Sequence, residues 1–224
     1  MDKIDQLREL EKEMVNDNLL PLQGSNLVFG EGSIDSKVVF IGEAPGFHED
    51  QQRRPFVGRS GQLLNKLIES VGWKRADVYI TNIVKRRPPE NRDPLPEEIE
   101  AYKPYLARQL EILNPKIIVT LGRFSMNYFI PAAKISRDQG QVFKWGKGDE
   151  MGGKGFRFIV PLFHPAAALR STQNLEALTA SFKKLPAIIK KVESLTGLDG
   201  SKIIEKSAIL AQNKAKTSFQ EKLL

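Results

Sequence analysis

Cysteine is absent from the 224 residues, and histidine occurs twice, as His48 and His164. Without a thiol the chain makes no disulfide, no cysteine nucleophile and no cysteine-held iron–sulfur or zinc site. Two histidines are too few for a histidine metal cluster, and no motif in the chain implies a metal or an organic cofactor. No run of 18 apolar residues occurs, and no membrane-spanning helix is expected. The opening MDKIDQLRELEKEM is charged throughout and lacks the apolar stretch of a secretory signal, which points to a cytoplasmic protein.

What is present is a chain with 41% hydrophobic residues and a net charge of +7. That is enough apolar material for the core of one α/β domain with a short appendage. The positive balance suits a polyanion, because each cation set against a phosphate releases a counterion; a basic solubilising surface is the plain alternative.

Hydrophobic periodicity gives the organisation. Residues 3–16 carry Ile4, Leu7, Leu10 and Met14 on one helical stripe. KVVFIG (37–42), DVYITNIV (77–84), KIIVTLG (116–122) and FRFIVPLF (156–163) read as short, continuously apolar strands of parallel type. Between them lie helical patterns at about 59–71 and 96–114, with a kink or break expected at Pro104, and a short helix after the third strand. Residues 137–155 read as a hairpin or loop, and a final helix is expected over roughly 173–194. Strands alternating with helices predict an α/β/α sandwich with a central four-stranded parallel sheet, formed by residues 1–194. Residues 195–224 form a separate basic extension, helical or mobile, open to a replication or repair partner.

The first strand runs into GEAPGFHEDQQRRPFVG (42–58), a glycine-flanked loop that is neither GxGxxG nor a GK[ST] phosphate loop. Instead it carries a carboxylate, Glu43, and an aromatic, Phe56. Asn82 ends the second strand and His164 follows the fourth, so Glu43, Asn82 and His164 are expected on one rim of a parallel sheet. Each alone has an ordinary explanation: a solvated acid, a turn asparagine, a structural histidine, a core aromatic. Their convergence favours a site.

GEAPG (42–46) with Glu49-Asp50, RPFVGRSGQLL (54–64), TNIVKRRPPENRDP (81–94), PKIIVTLG (115–122) and HPAAALR (164–170) together resemble uracil-DNA glycosylases of the family 4 type, in order and spacing, from about residue 29 to 192. The resemblance implies a monofunctional glycosylase, most simply a monomer, that flips uracil from single- or double-stranded DNA and hydrolyses its N-glycosidic bond. It implies Phe56 as the stacking platform, Asn82 as the reader of the uracil edge, and backbone near Gly42 approaching the base. His164 would donate to uracil O2, and Glu43 would assist at the sugar. Lys85, Arg86, Arg87, Arg170 and Ser171 are then the expected DNA contacts. Such enzymes hold a four-iron cluster on four cysteines; the matching positions here are Asp17, Leu20, Arg86 and Tyr102. No cluster can form on these, and an Asp17–Arg86 ion pair is expected in its place. A branch that traps uracil-DNA through a loop histidine resembles GEQPG; Ala44 and the histidine-free VKRRPPENRDP depart from it. The competing reading is a DNA-binding protein that kept the fold without the activity.

Overall fold

The structure, a computed structural model, describes residues 1–146 and 157–196. Its contacts divide the chain into a compact unit, Met1–Pro186, and a second beginning at Ala187. The extension expected from 195 falls almost wholly outside the described residues.

Helix α1 (Lys3–Asn16) starts where the Asp2 carboxylate accepts the Asp5 N–H, and it buries Leu7, Leu10 and Met14. Ile4, placed on that stripe from the sequence, is exposed in the first turn. A two-residue strand, β1 (Glu31–Gly32), precedes β2 (Val38–Gly42), in which every residue is buried. Helices α2 (Phe47–Gln52) and α3 (Arg59–Ser70) follow, then β3 (Tyr79–Asn82) and α4 (Pro96–Leu113). The chain continues through β4 (Ile117–Leu121), α5 (Arg123–Phe129), α6 (Ile135–Asp138), β5 (Phe143–Trp145) and β6 (Arg157–Leu162). It ends with α7 (Pro165–Ala168), α8 (Thr172–Phe182) and α9 (Leu185–Thr196).

The sheet has the order β1-β3-β2-β4-β6-β5. Its centre is the four parallel strands expected, with β2 paired to β3 on one side and β4 on the other, and β4 paired to β6. Two antiparallel edge strands extend it to six. They escaped the sequence because two or three residues carry no readable alternation. Side chains alternate across β2: Val39 and Ile41 join the cluster made with α1 and α4, while the Phe40 ring stacks on Phe182 of α8 at 5.6 Å. Helices on both faces therefore bury the sheet, which is what continuous apolar strands require.

The chain does not break at Pro104: α4 runs its full 18 residues through it. The missing hydrogen bond costs about 3 kcal/mol, but Tyr102, Leu106, Leu110 and Leu113 are buried on the inner face, each worth about 1.5–3 kcal/mol. The single final helix expected at 173–194 is two, parted at Lys183 and Lys184, because Pro186 opens a new helix more readily than it continues an old one.

The chain passes from β2 to β3 on one side and later crosses to β4 and β6 on the other. The sheet's switch point thus lies between β2 and β4, and the crevice beyond their carboxyl ends is where a ligand belongs.

Candidate active site

A cavity of about 760 Å³ opens at that place. Glu43, Asn82 and His164, expected on one rim from their strand ends, line it together with Phe56 of the loop. Gly42 lies beneath, paired in register with Asn82. A Cβ on Gly42 would overlap both Asn82 Oδ1 and the Phe56 ring, so a glycine is needed for the two to meet. Phe56 itself takes a left-handed backbone (φ 51°), and Gly61 of α3 lets its carbonyl pack against the helix where a Cβ would overlap it. The ring is buried and lies 5.7 Å from the imidazole of His164, centroid to centroid.

Five buried side-chain atoms lack a hydrogen-bond partner among the described residues: Asn82 Oδ1, Arg86 Nε, Thr120 Oγ1, Gln139 Oε1 and Arg157 Nε. Asn82 is the one whose residue lines the cavity. An orphaned buried acceptor costs about 1–3 kcal/mol, which a ligand donor can recover.

His164 caps α7, its Nδ1 accepting the Ala166 N–H at 3.1 Å. That bond fixes the tautomer: Nδ1 is the acceptor, so Nε2 carries the proton. Burial holds the imidazole pKa down at about 4, against a smaller opposing pull from Glu49, so the ring is a neutral donor at physiological pH. Glu43 is shifted the other way. Burial raises its carboxyl to about 7, Asp93 adds to the rise, and Arg123 opposes it.

Three further residues complete the site: Glu49, which the motif included without a role, and Asp93 and Arg123, to which sequence reasoning gave none. Glu49 of α2 accepts the Val57 and Gly58 N–H groups on one oxygen, each at 2.8 Å, and so ties the Phe56 turn to α2. Asp93 and Arg123 form an ion pair at 2.5 Å, and both line the cavity. Arg123 was legible: it directly follows Gly122 at the end of the third predicted strand, the position that gave Glu43 and His164. Gly122 (φ 94°) makes this turn, bringing its Cα side close to His164.

The basic residues divide. Arg170 is exposed and lines the cavity, and Ser171 beside it caps α8 by accepting the Asn174 N–H. Arg87 reaches the surface over the Phe47 ring, at 5.2 Å, and is held by Asn91. Lys85 and Arg86 do not line a DNA groove. Lys85 is fully buried: its ammonium donates to Thr81 Oγ1 and, at 2.6 Å, to Gln109 Oε1, and burial drives its pKa well down. Arg86 is buried against the Ser25 carbonyl. Both lie on the bent segment that follows β3, where their side chains are buried against Gln109 and the Ser25 carbonyl and do not reach a surface.

The residues aligned with cluster cysteines do not fit a cluster. Leu20 is packed in the core, Arg86 is cationic, and Tyr102 fills the space with a buried ring whose hydroxyl donates to Pro21 O at 2.8 Å. The Asp17–Arg86 ion pair is not formed either. Asp17 accepts from the Tyr105 hydroxyl and the Leu19 N–H, while Arg86 serves Ser25. The segment 17–25 is therefore fastened to α4 and to the end of β3 by ordinary hydrogen bonds.

A family model described as the uracil DNA glycosylase superfamily matches residues 29–189. The chain belongs to this superfamily. Similar proteins include the type-4 uracil-DNA glycosylase of Thermotoga maritima, 42% identical over 176 residues, which cover 77% of this chain and 88% of that one. That of Archaeoglobus fulgidus is 42% identical over 75% of this chain and 84% of its own. That of Saccharolobus solfataricus is 44% identical over 71% and 74%. This chain contains no cysteine.

Proposed function

We propose that the protein is a monofunctional uracil-DNA glycosylase that works without an iron–sulfur cluster. The observation that carries the reading is the buried, unpartnered Asn82 Oδ1 beside the Phe56 face, in the cavity at the sheet's switch point. A uracil stacked on Phe56 offers N3–H to that oxygen and O4 to the amide nitrogen. Cytosine presents the reverse polarity at both atoms, and each mismatch costs about 1–3 kcal/mol.

The chemistry follows from the two shifted groups. As the C1′–N1 bond breaks, its electron pair leaves on uracil, and a neutral His164 Nε2–H donates to the developing O2 anion. The sugar becomes cationic, and the Glu43 carboxylate stabilises it and takes a proton from the water that adds at C1′. His164 must be neutral and Glu43 ionised, so the rate should rise with pH to a plateau above about pH 7, the value to which burial raises Glu43. Arg59, Arg123 and Arg170 line the cavity and suit the flanking phosphates. Leu169, exposed next to Arg170, suits the gap that a flipped base leaves in the stack.

A single-turnover assay on an oligonucleotide with one uracil, followed by alkali, tests the reading. Alkali-dependent cleavage at uracil and at neither cytosine nor thymine is expected. Intact DNA after incubation, single- or double-stranded, with binding preserved, refutes it.

A further inference from the structure

The sheet order places β2 between β3 and β4. Asp93 lies on the segment leaving β3, and Arg123 is the first residue after the turn that leaves β4. Their ion pair therefore bridges the carboxyl end of β2, and the residue that follows β2 is Glu43. Both side chains are exposed, but the backbone at Asp93 and the Arg123 guanidinium each have a second contact. Arg92 donates to the Asp93 carbonyl at 3.0 Å and forms a two-pronged bond to Glu98 at the start of α4, which fixes the segment. The Arg123 guanidinium also lies over the Phe124 ring, 4.3 Å from its centroid.

We propose that the Asp93–Arg123 pair, which shares the cavity with Glu43, is a positioning pair that sets the charge Glu43 carries in the active site. The inference rests on the catalytic reading of Glu43 given above. Other charged or titratable groups around the same cavity are His48 and Glu49 from α2, Arg59 from α3, and His164 and Arg170 from either side of α7. Glu49 is committed to two backbone N–H groups, and His164 is neutral by burial. Asp93 and Arg123 line the same cavity as Glu43 and are the ion pair among its lining residues. Burial supplies most of the rise in the Glu43 pKa; Asp93 and Arg123 trim it in opposite directions.

The test is the acid limb of the single-turnover rate, measured at saturating enzyme on the uracil oligonucleotide. Asp93→Asn removes a negative neighbour, so the limb should move to lower pH; Arg123→Gln should move it to higher pH. Shifts of about half a pH unit are the size expected for partly solvated charges, or about threefold in rate on the limb, shrinking as salt is added. The double variant should fall between the two singles. A protein altered merely in DNA affinity would change the enzyme concentration needed for saturation and leave the limb in place. Titration of the Glu43 carboxyl by carbon NMR in the DNA-free protein, assigned with Glu43→Gln, gives the same readout without turnover. Limbs or titrations that coincide with wild type in both single variants, or that move in the same direction, overturn the proposal. An inactive wild type whose Glu43 titration still shifts in opposite directions would sink the glycosylase reading and leave this one standing.

Discussion

Replacing Glu43 by glutamine is expected to stabilise the protein while abolishing turnover, and the gain should depend on pH. The carboxyl has an ordinary pKa of 4.5 and one of about 7 in the fold. Between those values the unfolded chain has released this proton and the folded one has kept it, so wild-type stability falls as pH rises through the interval, then levels off. Glutamine resembles the protonated acid and suffers no such loss. The full shift would amount to about 3.4 kcal/mol at 1.36 kcal/mol per unit, a ceiling for a dry site. Glu43 borders an open cavity, and solvent screening brings the expectation to about 1–2 kcal/mol, or about 3–6 °C in Tm for a domain of this size. His164 acts with the opposite sign between about 4 and 6.5, since its depressed pKa costs stability as pH falls. The observable is therefore the difference between variant and wild type, measured by thermal denaturation from about pH 4 to 8. No difference near pH 4 and a gain near pH 8 are expected. An equal difference at every pH, or a loss at pH 8, would refute the assignment of a desolvated carboxyl.

His164→Ala should slow the chemical step by roughly 2–4 kcal/mol with little change in DNA affinity, read by single-turnover kinetics; a wild-type rate removes it from the mechanism. Asn82→Asp should weaken preference for uracil over cytosine, and unchanged discrimination would detach Asn82 from base reading. Leu169→Ala should slow excision from duplex DNA more than from single strands, where no stack needs filling; equal effects would undo the wedge. Tyr102→Phe should cost about 1 kcal/mol through the stranded Pro21 carbonyl, and Tyr102→Ala about 3–5 kcal/mol through the void, both read from denaturant melts.

The four parallel strands and their order of polar residues could be read because each strand is apolar throughout and ends on one informative side chain. Glu43, Asn82 and His164 were accordingly found where strand polarity put them, and Phe56 where the family resemblance put it. Lys85 and Arg86 were misassigned because a cationic type was taken as a surface marker, whereas both are buried just after β3; Gln109 on α4, distant in sequence, accepts from the buried Lys85. Asp93 and Arg123 meet 30 residues apart across a strand that neither belongs to, a relation visible once the strand order is known. The same holds for Tyr102 and Pro21, 81 residues apart.

The hydrogen-bonded fastening of residues 17–25 has a consequence for chemistry outside the active site. Thiolates and the clusters they hold are the groups that oxidants reach first. Here the anchoring atoms are phenols, a guanidinium, a carboxylate and backbone carbonyls, none of which is a thiolate. Of the methionines, Met14 and Met126 are sealed in the interior. Fastening of this segment uses no thiolate, so it calls for neither iron delivery nor a reducing environment.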